Sequence, residues 1–264
     1  GVVTGMGRID SSVITVTDKI LGSSYSFTVR VAQSADTEIT VPMIVSGYGH
    51  TLALRADGTV WAWGDNTYGQ LGDGTYGTSN VDKFVPRQVR IGQNESNTKL
   101  LTNIKYVAAG ANSSAAIDQD GLLYVWGNND NGQLGVDGKI VAYPTLVEAL
   151  KDNPATPNAD ETILVSAVEL SESHTIIIDA LTKRAYTWGK NDHNQLGYQQ
   201  SILNNGKPMT SPSTENYAKE AHLVTRDKGD LNFLEVASGK NHSVGIVIPA
   251  SEAETATQGT VYAW

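Results

Sequence analysis

The sequence predicts an all-β protein made of stacked repeats, and three observations carry this prediction. First, the stretch VSGYGHTLALRADGTVWAWGDNTYGQLG at residues 45–72 returns at residues 107–135 and 168–197, and a fourth copy occupies residues 236–264. Second, each copy contains segments that alternate with the two-residue period of a β-strand. Third, turn-forming residues separate these segments. Repeats of this kind stack because no single unit buries its apolar face alone.

One tryptophan marks the repeat length. The second tryptophan of the WAW motif and its equivalents are Trp63, Trp126, Trp188 and Trp264, which lie 63, 62 and 76 residues apart. Self-similarity at a fixed step is the mark of a repeat architecture, in which large side chains pack between units. We therefore predict that Trp63, Trp126 and Trp188 are packed between repeats and are not presented to a ligand.

Each copy begins with a predicted β-hairpin. In the first copy, residues 50–54 alternate like a strand and residues 59–63 are β-branched and aromatic, as expected for the returning strand. Asp57 and Gly58 between them predict a two-residue turn, with glycine supplying a positive φ. In the third copy the turn spans residues 180–183, which is one residue longer and lacks glycine, so a different turn type is expected.

A glycine-rich turn of the type GDNTYGQLG follows each hairpin. Its asparagine can bond back to the turning backbone, its last glycine is expected in a conformation closed to other residues, and its leucine is expected in the core. Its glutamine amide is predicted to bond neighbouring backbone rather than a ligand, because a buried amide needs a partner. These residues are Asn66, Asn129 and Asn191; Gly72, Gly135 and Gly197; Leu71, Leu134 and Leu196; and Gln70, Gln133 and Gln195.

These motifs resemble the regulator-of-chromosome-condensation repeat, whose signature is HTLAL, an Asp-Gly turn, V(Y/W)xWG and then NxxGQLG. The resemblance covers residues 43–264 and implies a β-propeller of seven four-stranded blades, of which this chain holds about three and a half repeats. The chain departs from the signature at three positions. Ser113 replaces the histidine of the second copy, Ser171 replaces a glycine of the third, and Asn194 replaces the turn glycine there.

The chain divides into two predicted parts, a β segment at residues 1–41 and the propeller repeats at residues 42–264. Two strand-like runs in the first part resemble the end of an immunoglobulin-like domain, and a strand pair covering the open edge of the propeller is the alternative. The chain starts at Gly1 and stops at Trp264, where earlier copies continue with glycine. We therefore expect the remaining blades to come from the same, longer chain.

Composition narrows the class of partner. The chain carries 19 basic and 28 acidic residues, a net charge of −9, which argues against nucleic acid because phosphate binding needs a basic stripe. No apolar run approaches the roughly 20 residues of a membrane span. Cysteine is absent, which excludes disulfides and cysteine-based zinc sites.

No catalytic, metal or cofactor site is predicted. His50, His174 and His242 share one repeat position, but equivalent positions point along separate blades and Ser113 interrupts the series, so a structural role is favoured over metal binding. The run at residues 118–121 resembles the start of a calcium loop but lacks its closing glutamate. We expect a protein that is not an enzyme and needs no cofactor.

The predicted function is therefore a non-catalytic protein-binding, adhesive or structural module. The alternatives are a guanine-nucleotide exchange factor for a small GTPase and a protein inhibitor of an enzyme. The insertions at residues 73–105, 136–163 and 198–232 are candidate binding loops. The last is longest and carries Tyr198, Lys207, Tyr217 and Lys219, the candidate contact residues, although a merely solvated insertion is the alternative.

The variant motif DGTVWAWG and the immunoglobulin-like segment resemble large bacterial surface proteins. This resemblance implies an extracellular or cell-surface location and a protein or cell-surface ligand as partner. Nucleic acid and membrane insertion are not expected for this segment.

Overall fold

A computed structural model describes residues 11–17, 24–30, 40–77, 84–92, 99–150, 162–197, 217–226, 229–248 and 259–264. Within these ranges every regular element is a β-strand except one 3-10 helix, Glu148–Leu150. No helix among these residues is long and apolar enough to cross a membrane.

Each copy folds into a small antiparallel sheet whose strands lie side by side in sequence order. The first copy contains β3 (Met43–Ser46), β4 (His50–Leu54), β5 (Val60–Gly64) and β6 (Arg87–Gln88). The second contains β9 (Ile104–Ala109), β10 (Ser113–Asp118), β11 (Leu123–Asn128) and β12 (Ile140–Leu146). The third contains β13 (Val165–Leu170), β14 (His174–Asp179), β15 (Ala185–Lys190) and β16 (Tyr217–Leu223). The fourth shows β19 (Asn232–Ser238), β20 (Ser243–Ile248) and β21 (Thr260–Ala263).

The sheets pack face to face in the order of the copies. The first strands β3, β9, β13 and β19 contact one another in succession, and the second strand of each copy contacts the first strand of the next. The first strands therefore form the inner wall of an arc. This is the architecture of a partial β-propeller, as the repeats predicted.

Among the described residues, three strand pairs lie outside the four sheets. At the N-terminus β1 (Ser11–Thr17) pairs with β2 (Ser24–Arg30). Between copies, β7 (Arg90–Ile91) pairs with β8 (Lys99–Leu100), and β17 (Thr225–Arg226) pairs with β18 (Gly229–Asp230). The immunoglobulin-like and edge-covering interpretations of residues 1–41 both stay predictions.

The hairpin turns differ from the two-residue prediction. Arg55 N–H donates to Thr59 O (3.0 Å) and Gly58 N–H donates to Arg55 O (2.9 Å), so the loop has three residues, with Gly58 at φ +73° as its last member. A positive-φ glycine serves both loop lengths, and the sequence alone does not separate them. The third copy has the predicted longer turn, closed by Lys183 at φ +58°.

The residue types of residues 84–91 predict a single strand, but the structure breaks this strand at Val89. Val89 is fully buried; its N–H donates to Val60 O, and its carbonyl accepts from Leu101 N–H, both at 2.9 Å. The chain therefore leaves the first sheet at Val89 and forms a new pair with a different strand. The predicted core positions Leu71, Leu134 and Leu196 are exposed by 4 %, 0 % and 0 %, which confirms them.

Candidate functional site

Two classes of loop gather at one end of the strands. The first class joins the first and second strands of each copy, at residues 47–49, 110–112, 171–173 and 239–242. The second class is the glycine-rich turn after the third strand. Backbone bonds tie the classes together, as where Asp65 N–H donates to Gly49 O (2.7 Å) and Lys190 N–H donates to Ser173 O (2.9 Å). We call this end of the molecule the loop face.

Three side chains from three different copies meet on the loop face. Tyr48 Oη donates to Glu172 Oε2 (3.5 Å), and Lys240 Nζ lies 3.0 Å from the same oxygen. Tyr48 is 75 % exposed, so the group is presented to solvent. The carboxylate of Glu172 raises the pKa of Lys240, which keeps this ammonium charged. We name Tyr48, Glu172 and Lys240 the clasp.

The clasp depends on a small residue in the copy that it crosses. Ala111 occupies the second copy's equivalent of the clasp position and is buried, and Tyr48 N–H donates to its carbonyl (3.0 Å). The neighbouring positions vary less. The residue before the clasp position is glycine or serine, and the residue two positions after it is histidine or serine. The clasp position thus differs in residue type from copy to copy, while its neighbours keep the repeat pattern. The sequence analysis did not identify this position as functional. The signal that could have identified it is the change of residue type at one position of the repeat whose neighbours are nearly constant.

The glutamine amides hold the turns of the loop face. The Oε1 atoms of Gln70, Gln133 and Gln195 accept from the backbone N–H two residues earlier, at 2.8, 2.9 and 2.8 Å. Gln133 Nε2 also donates to Glu172 O (3.3 Å), which fixes the backbone of a clasp residue from the preceding copy. The asparagine prediction is confirmed: the Oδ1 atoms of Asn66, Asn129 and Asn191 accept from the leucine N–H at 3.0, 2.8 and 3.1 Å.

The histidines take part in hydrogen-bond relays between copies. His50 Nε2 lies 3.0 Å from Ser114 Oγ, and Ser114 Oγ donates to Gln70 O (2.8 Å). Because the serine proton goes to the carbonyl, the serine oxygen must accept from His50 Nε2–H. His50 therefore carries a proton on Nε2, and because burial lowers its pKa to about 4, the imidazole is neutral at pH 7.

The third copy repeats the relay with one more member. His174 Nε2 lies 2.9 Å from Ser243 Oγ, which donates to Gln195 O (2.8 Å). Ser171, which replaces a glycine, lies 2.6 Å from His174 Nδ1 and donates to it. Burial lowers the pKa of His50 to about 4, and burial with a smaller effect of His242 lowers that of His174 to about 4.

The relay is incomplete between the second and third copies. Ser113 stands in place of histidine, and its Oγ has no hydrogen-bond partner among the described residues. Thr175 Oγ1 still donates to Gln133 O (2.5 Å). Leu170 occupies the position of the smaller Ala109 and Ser238, and a β-carbon on Gly110 would lie 2.7 Å from Ser113 Oγ and 2.9 Å from Leu170 Cβ. We infer that the larger Leu170 fills part of the space of the missing imidazole.

The serine–histidine pairs do not form a nucleophilic site. Ser114 and Ser243 are fully buried, and their protons are committed to backbone carbonyls. A reactive serine instead donates to its histidine and faces substrate. In the described part of the chain, no three His, Cys, Asp or Glu side chains are grouped so that they could hold a metal ion.

Trp126 and Trp188 lie at the junctions between copies, each against the last glycine of the preceding copy's turn, whereas Trp63 is buried in the first copy. Trp63, Trp126 and Trp188 are exposed by 7 %, 0 % and 1 %. Trp126 Nε1 donates to Gln70 O (2.8 Å), and a β-carbon on Gly72 would lie 2.9 Å from that nitrogen. Gly72 has φ +65°, so this position needs glycine for its backbone conformation and for the indole of the next copy.

A second titratable group lies on the inner strands. Burial and the neighbouring Glu235 raise the pKa of Glu169 to about 7, and burial with both carboxylates raises the pKa of Tyr106. These residues belong to three successive inner strands. The sequence offered no sign of this grouping, because its members lie in different copies.

The predicted contact residues of the longest insertion fall in two groups. Tyr198 and Lys207 lie outside the described residues. Tyr217 and Lys219 belong to β16, the fourth strand of the third copy, in which Tyr217 pairs with Lys190. The insertion is therefore not a single loop over residues 198–232, because residues 217–223 form a strand that pairs with β15.

Comparison with known proteins identifies the repeat. The family model described as "Regulator of chromosome condensation (RCC1) repeat" matches residues 57–117, 120–178 and 184–246, and a second model of that description matches residues 104–133. "Protein pim1" of Schizosaccharomyces pombe is 27 % identical over 256 residues, covering 94 % of this chain and 41 % of that protein. "Guanine nucleotide exchange factor SRM1" of Saccharomyces cerevisiae is 26 % identical over 233 residues, covering 86 % and 42 %. The chain thus spans less than half the length of these relatives.

Solved structures agree on the fold. Yeast RCC1 (Prp20), in its complex with Kap60, superposes with a TM-score of 0.62 at 24 % identity, covering 90 % of this chain and 46 % of that one. Human WBSCR16 gives a TM-score of 0.58 at 18 % identity, covering 84 % and 46 %. At these identities the likeness establishes the propeller fold alone.

The predicted extracellular or cell-surface location is wrong. The relatives named above are eukaryotic RCC1-type proteins, and they give no support to a bacterial surface class or a cell-surface ligand. The prediction of a surface location rested partly on the exact residues of the DGTVWAWG motif. The structure shows that this motif is set by hairpin geometry and packing, which carry no information about location. With its repeats matched over residues 57–117, 120–178 and 184–246, the chain belongs to the regulator of chromosome condensation (RCC1) repeat family.

Proposed function

We propose that this chain is a non-catalytic, protein-binding part of an RCC1-type propeller, and that its partner is a small GTPase whose nucleotide exchange the whole protein promotes. The observation that carries the proposal is the clasp. It presents an exposed tyrosine, an ammonium and a carboxylate, held by hydrogen bonds on rigid sheets. Tyrosine offers a large contact area at low entropic cost, and pre-ordered side chains lose less freedom on binding.

Nucleotide exchange requires neither a nucleophilic side chain nor a metal ion on the exchange factor. An exchange factor needs only to bind the nucleotide-free GTPase more tightly than the loaded form, because differential affinity shifts the equilibrium. A rigid face that holds one partner conformation can do this. The buried serine–histidine relays supply rigidity and no chemistry.

The relatives favour exchange over the adhesive role. SRM1 is named as a guanine-nucleotide exchange factor and aligns with 86 % of this chain. A solved structure of Prp20p is described together with its binding properties to Gsp1p and histones. Similar repeats also occur in the human E3 ubiquitin-protein ligase HERC2, which is 25 % identical over 83 % of this chain. Protein binding without exchange is therefore the second candidate.

The test measures release of fluorescent GDP from a panel of small GTPases, together with direct binding to each. We expect one GTPase to bind and to lose its nucleotide faster. Tyr48→Ala should weaken that binding by roughly tenfold or more, because it removes the exposed ring of the clasp. Leu181→Ala is the matched control, since Leu181 is 66 % exposed in a hairpin turn at the opposite end of the strands.

The outcomes separate the two candidates. If a GTPase binds, Tyr48→Ala weakens that binding and GDP release is not accelerated, the result supports a protein-binding role and rejects exchange. If Tyr48→Ala leaves the rate of GDP release unchanged, the clasp is not the contact surface for the GTPase. No binding to any member of the panel rejects the GTPase as partner.

A further inference from the structure

A second group of polar side chains lies on the loop face beside the clasp. In the glycine-rich turn of the third copy, Lys190 Nζ lies 2.7 Å from Asp192 Oδ2, and His193 Nδ1 lies 2.8 Å from Asp192 Oδ1. The backbone ties this turn to the clasp, because Lys190 N–H donates to the carbonyl of Ser173, the residue that follows Glu172. The third copy packs between the second and the fourth, so the turn has a neighbouring copy on both sides.

The backbone of this turn is the same in three copies, whereas its side chains differ. The position of His193 is held by tyrosine in the first copy and by asparagine in the second. In each copy the N–H at this position donates to Oε1 of the glutamine two residues later, at 2.8, 2.9 and 2.8 Å. Asn194 has φ +60°, close to the +79° of Gly69 and the +68° of Gly132 at the same position. The third turn therefore presents its own polar groups on a common backbone.

The carboxylate of Asp192 fixes which nitrogen of His193 carries the proton. The hydrogen bond from Lys190, with smaller contributions from His193 and Gln195, lowers the pKa of Asp192, so this carboxyl group is ionised. An ionised carboxylate only accepts hydrogen bonds, so Nδ1 must be the nitrogen that donates to it. When the imidazole is neutral, its Nε2 then carries a lone pair. Because 54 % of the side chain is exposed, this acceptor is accessible to a partner.

A hydrogen bond suits this acceptor better than a metal ion does. An imidazole whose other nitrogen is held by a carboxylate is also a common arrangement for a metal ligand. A metal site needs further ligands, and the part of the chain that the structure describes holds no group of three His, Cys, Asp or Glu side chains that could supply them. The ion pair of Lys190 with Asp192 also leaves the group without a net negative charge to attract a cation.

We propose that His193 is a specificity-determining residue of the loop face, and that its Nε2 accepts a hydrogen bond from an N–H or O–H group of the GTPase. This inference rests on the proposed function, because it names a contact with the same partner. Asp192 is the positioning residue, since it holds the proton on Nδ1 and so keeps Nε2 an acceptor. A partner that presents another acceptor at this point is disfavoured, because both groups are left unpaired.

The first experiment determines the position of the proton in the free chain, by nitrogen NMR of the histidine rings at mildly alkaline pH. We expect the His193 signals, assigned by their loss in His193→Gln, to show a proton on Nδ1 and none on Nε2. Asp192→Ala should transfer part of the proton population to Nε2, because the hydrogen bond that held it is removed. A wild-type proton on Nε2 overturns the proposal, and so does an unchanged proton position in Asp192→Ala.

The second experiment measures binding of the nucleotide-free GTPase that the panel identifies. His193→Phe should weaken binding by roughly tenfold or more, because it leaves a donor of the partner unpaired. His193→Gln should bind within about threefold of the wild type, because its Oε1 supplies an acceptor in place of Nε2. Leu181→Phe is the matched control, since it introduces the same ring at an exposed position at the opposite end of the strands.

The outcomes separate this inference from the proposed function. If no GTPase binds, both are rejected. If a GTPase binds and Tyr48→Ala weakens that binding, but His193→Phe binds as the wild type does, only the role of His193 is overturned. If His193→Phe and His193→Gln weaken binding equally, with unchanged circular dichroism, the side chain does not act as an acceptor and this inference is overturned as well.

Discussion

Lowering the pH from 7 to 4 should destabilise the folded chain through His50 and His174. Burial lowers the pKa of both imidazoles from 6.5 to about 4, so they stay neutral in the fold over most of this range. In the unfolded chain they take up protons near pH 6.5. The unfolded state therefore binds more protons between these values, and the free energy of unfolding falls as the pH falls. Above about pH 6.5 the contribution is fully present.

The size of the effect follows from the shifts. At about 1.4 kcal/mol per pH unit, each histidine contributes about 3 kcal/mol, which is lost on moving from neutral pH to pH 4. This is a large share of a typical stability of about 5–15 kcal/mol. Glu169 acts in the opposite direction, because its pKa is raised from 4.5 to about 7. Its contribution is present below pH 4.5 and is lost as the pH rises through 7, so it reduces the net slope.

The assay is urea unfolding between pH 7 and pH 4.5 for the wild type and two variants. His174→Gln should show a smaller loss of stability over this range, by up to about 3 kcal/mol, since one linked proton is gone. The control is Leu181→Ala, because this side chain is 66 % exposed and carries no ionisable group, so the variant should lose the same free energy as the wild type between these pH values. If wild type and His174→Gln lose the same free energy between these pH values, the neutral relay is refuted.

Four further predictions follow from the junctions and loops. Trp126→Ala should cost about 3–5 kcal/mol and lower the Tm seen by calorimetry, and an unchanged Tm with lost binding would contradict its structural role. Ser113→His alone should lower the free energy of unfolding by about 1–3 kcal/mol, because Leu170 fills the space of the imidazole. Adding Leu170→Ala should recover stability in urea unfolding, whereas additive effects of the two substitutions would show that the two positions do not share that space. Tm with and without a strong chelator should agree, and a clear drop with chelator would reveal a required metal. Replacing residues 199–216 with a short Gly-Ser linker should keep the β signal in circular dichroism and weaken partner binding, whereas unchanged affinity would remove this loop from the site.

Local chemistry predicts the hairpins, the turns and the repeat, because each depends on residues near one another in sequence. The glycines and asparagines of the turns can be recognised in the sequence, because the backbone conformation of each turn favours these residue types. The clasp could not be predicted in this way, since Tyr48 and Glu172 lie 124 residues apart and meet only when three copies are stacked. The relay has the same origin: His50 and Ser114 are separated by 64 residues, and no local pattern links an imidazole to a hydroxyl in the next copy.

The break at Val89 shows a different limit. The run at residues 84–91 reads as one strand because its residue types suit a strand. Burial of Val89 and its bonds to two different partners decide that the chain bends there. Propensity describes a residue's preference for a conformation, and packing selects the partner strand.

The interrupted relay has a consequence for how the arc opens. The first junction is crossed by bonds from His50, Ser114 and Trp126, whereas the second has Thr175 and Gln133 as its corresponding donors. Among the described residues, the second junction is the one of the three that lacks a histidine bond, so local opening is expected there and amide hydrogen exchange should reveal two cooperative halves that meet at Ser113. The clasp spans this same seam on the outside, from Tyr48 to Glu172. A partner that binds both Tyr48 and Glu172 would link the two halves. Amide hydrogen exchange at the second junction should then be slower in the complex than in the free chain.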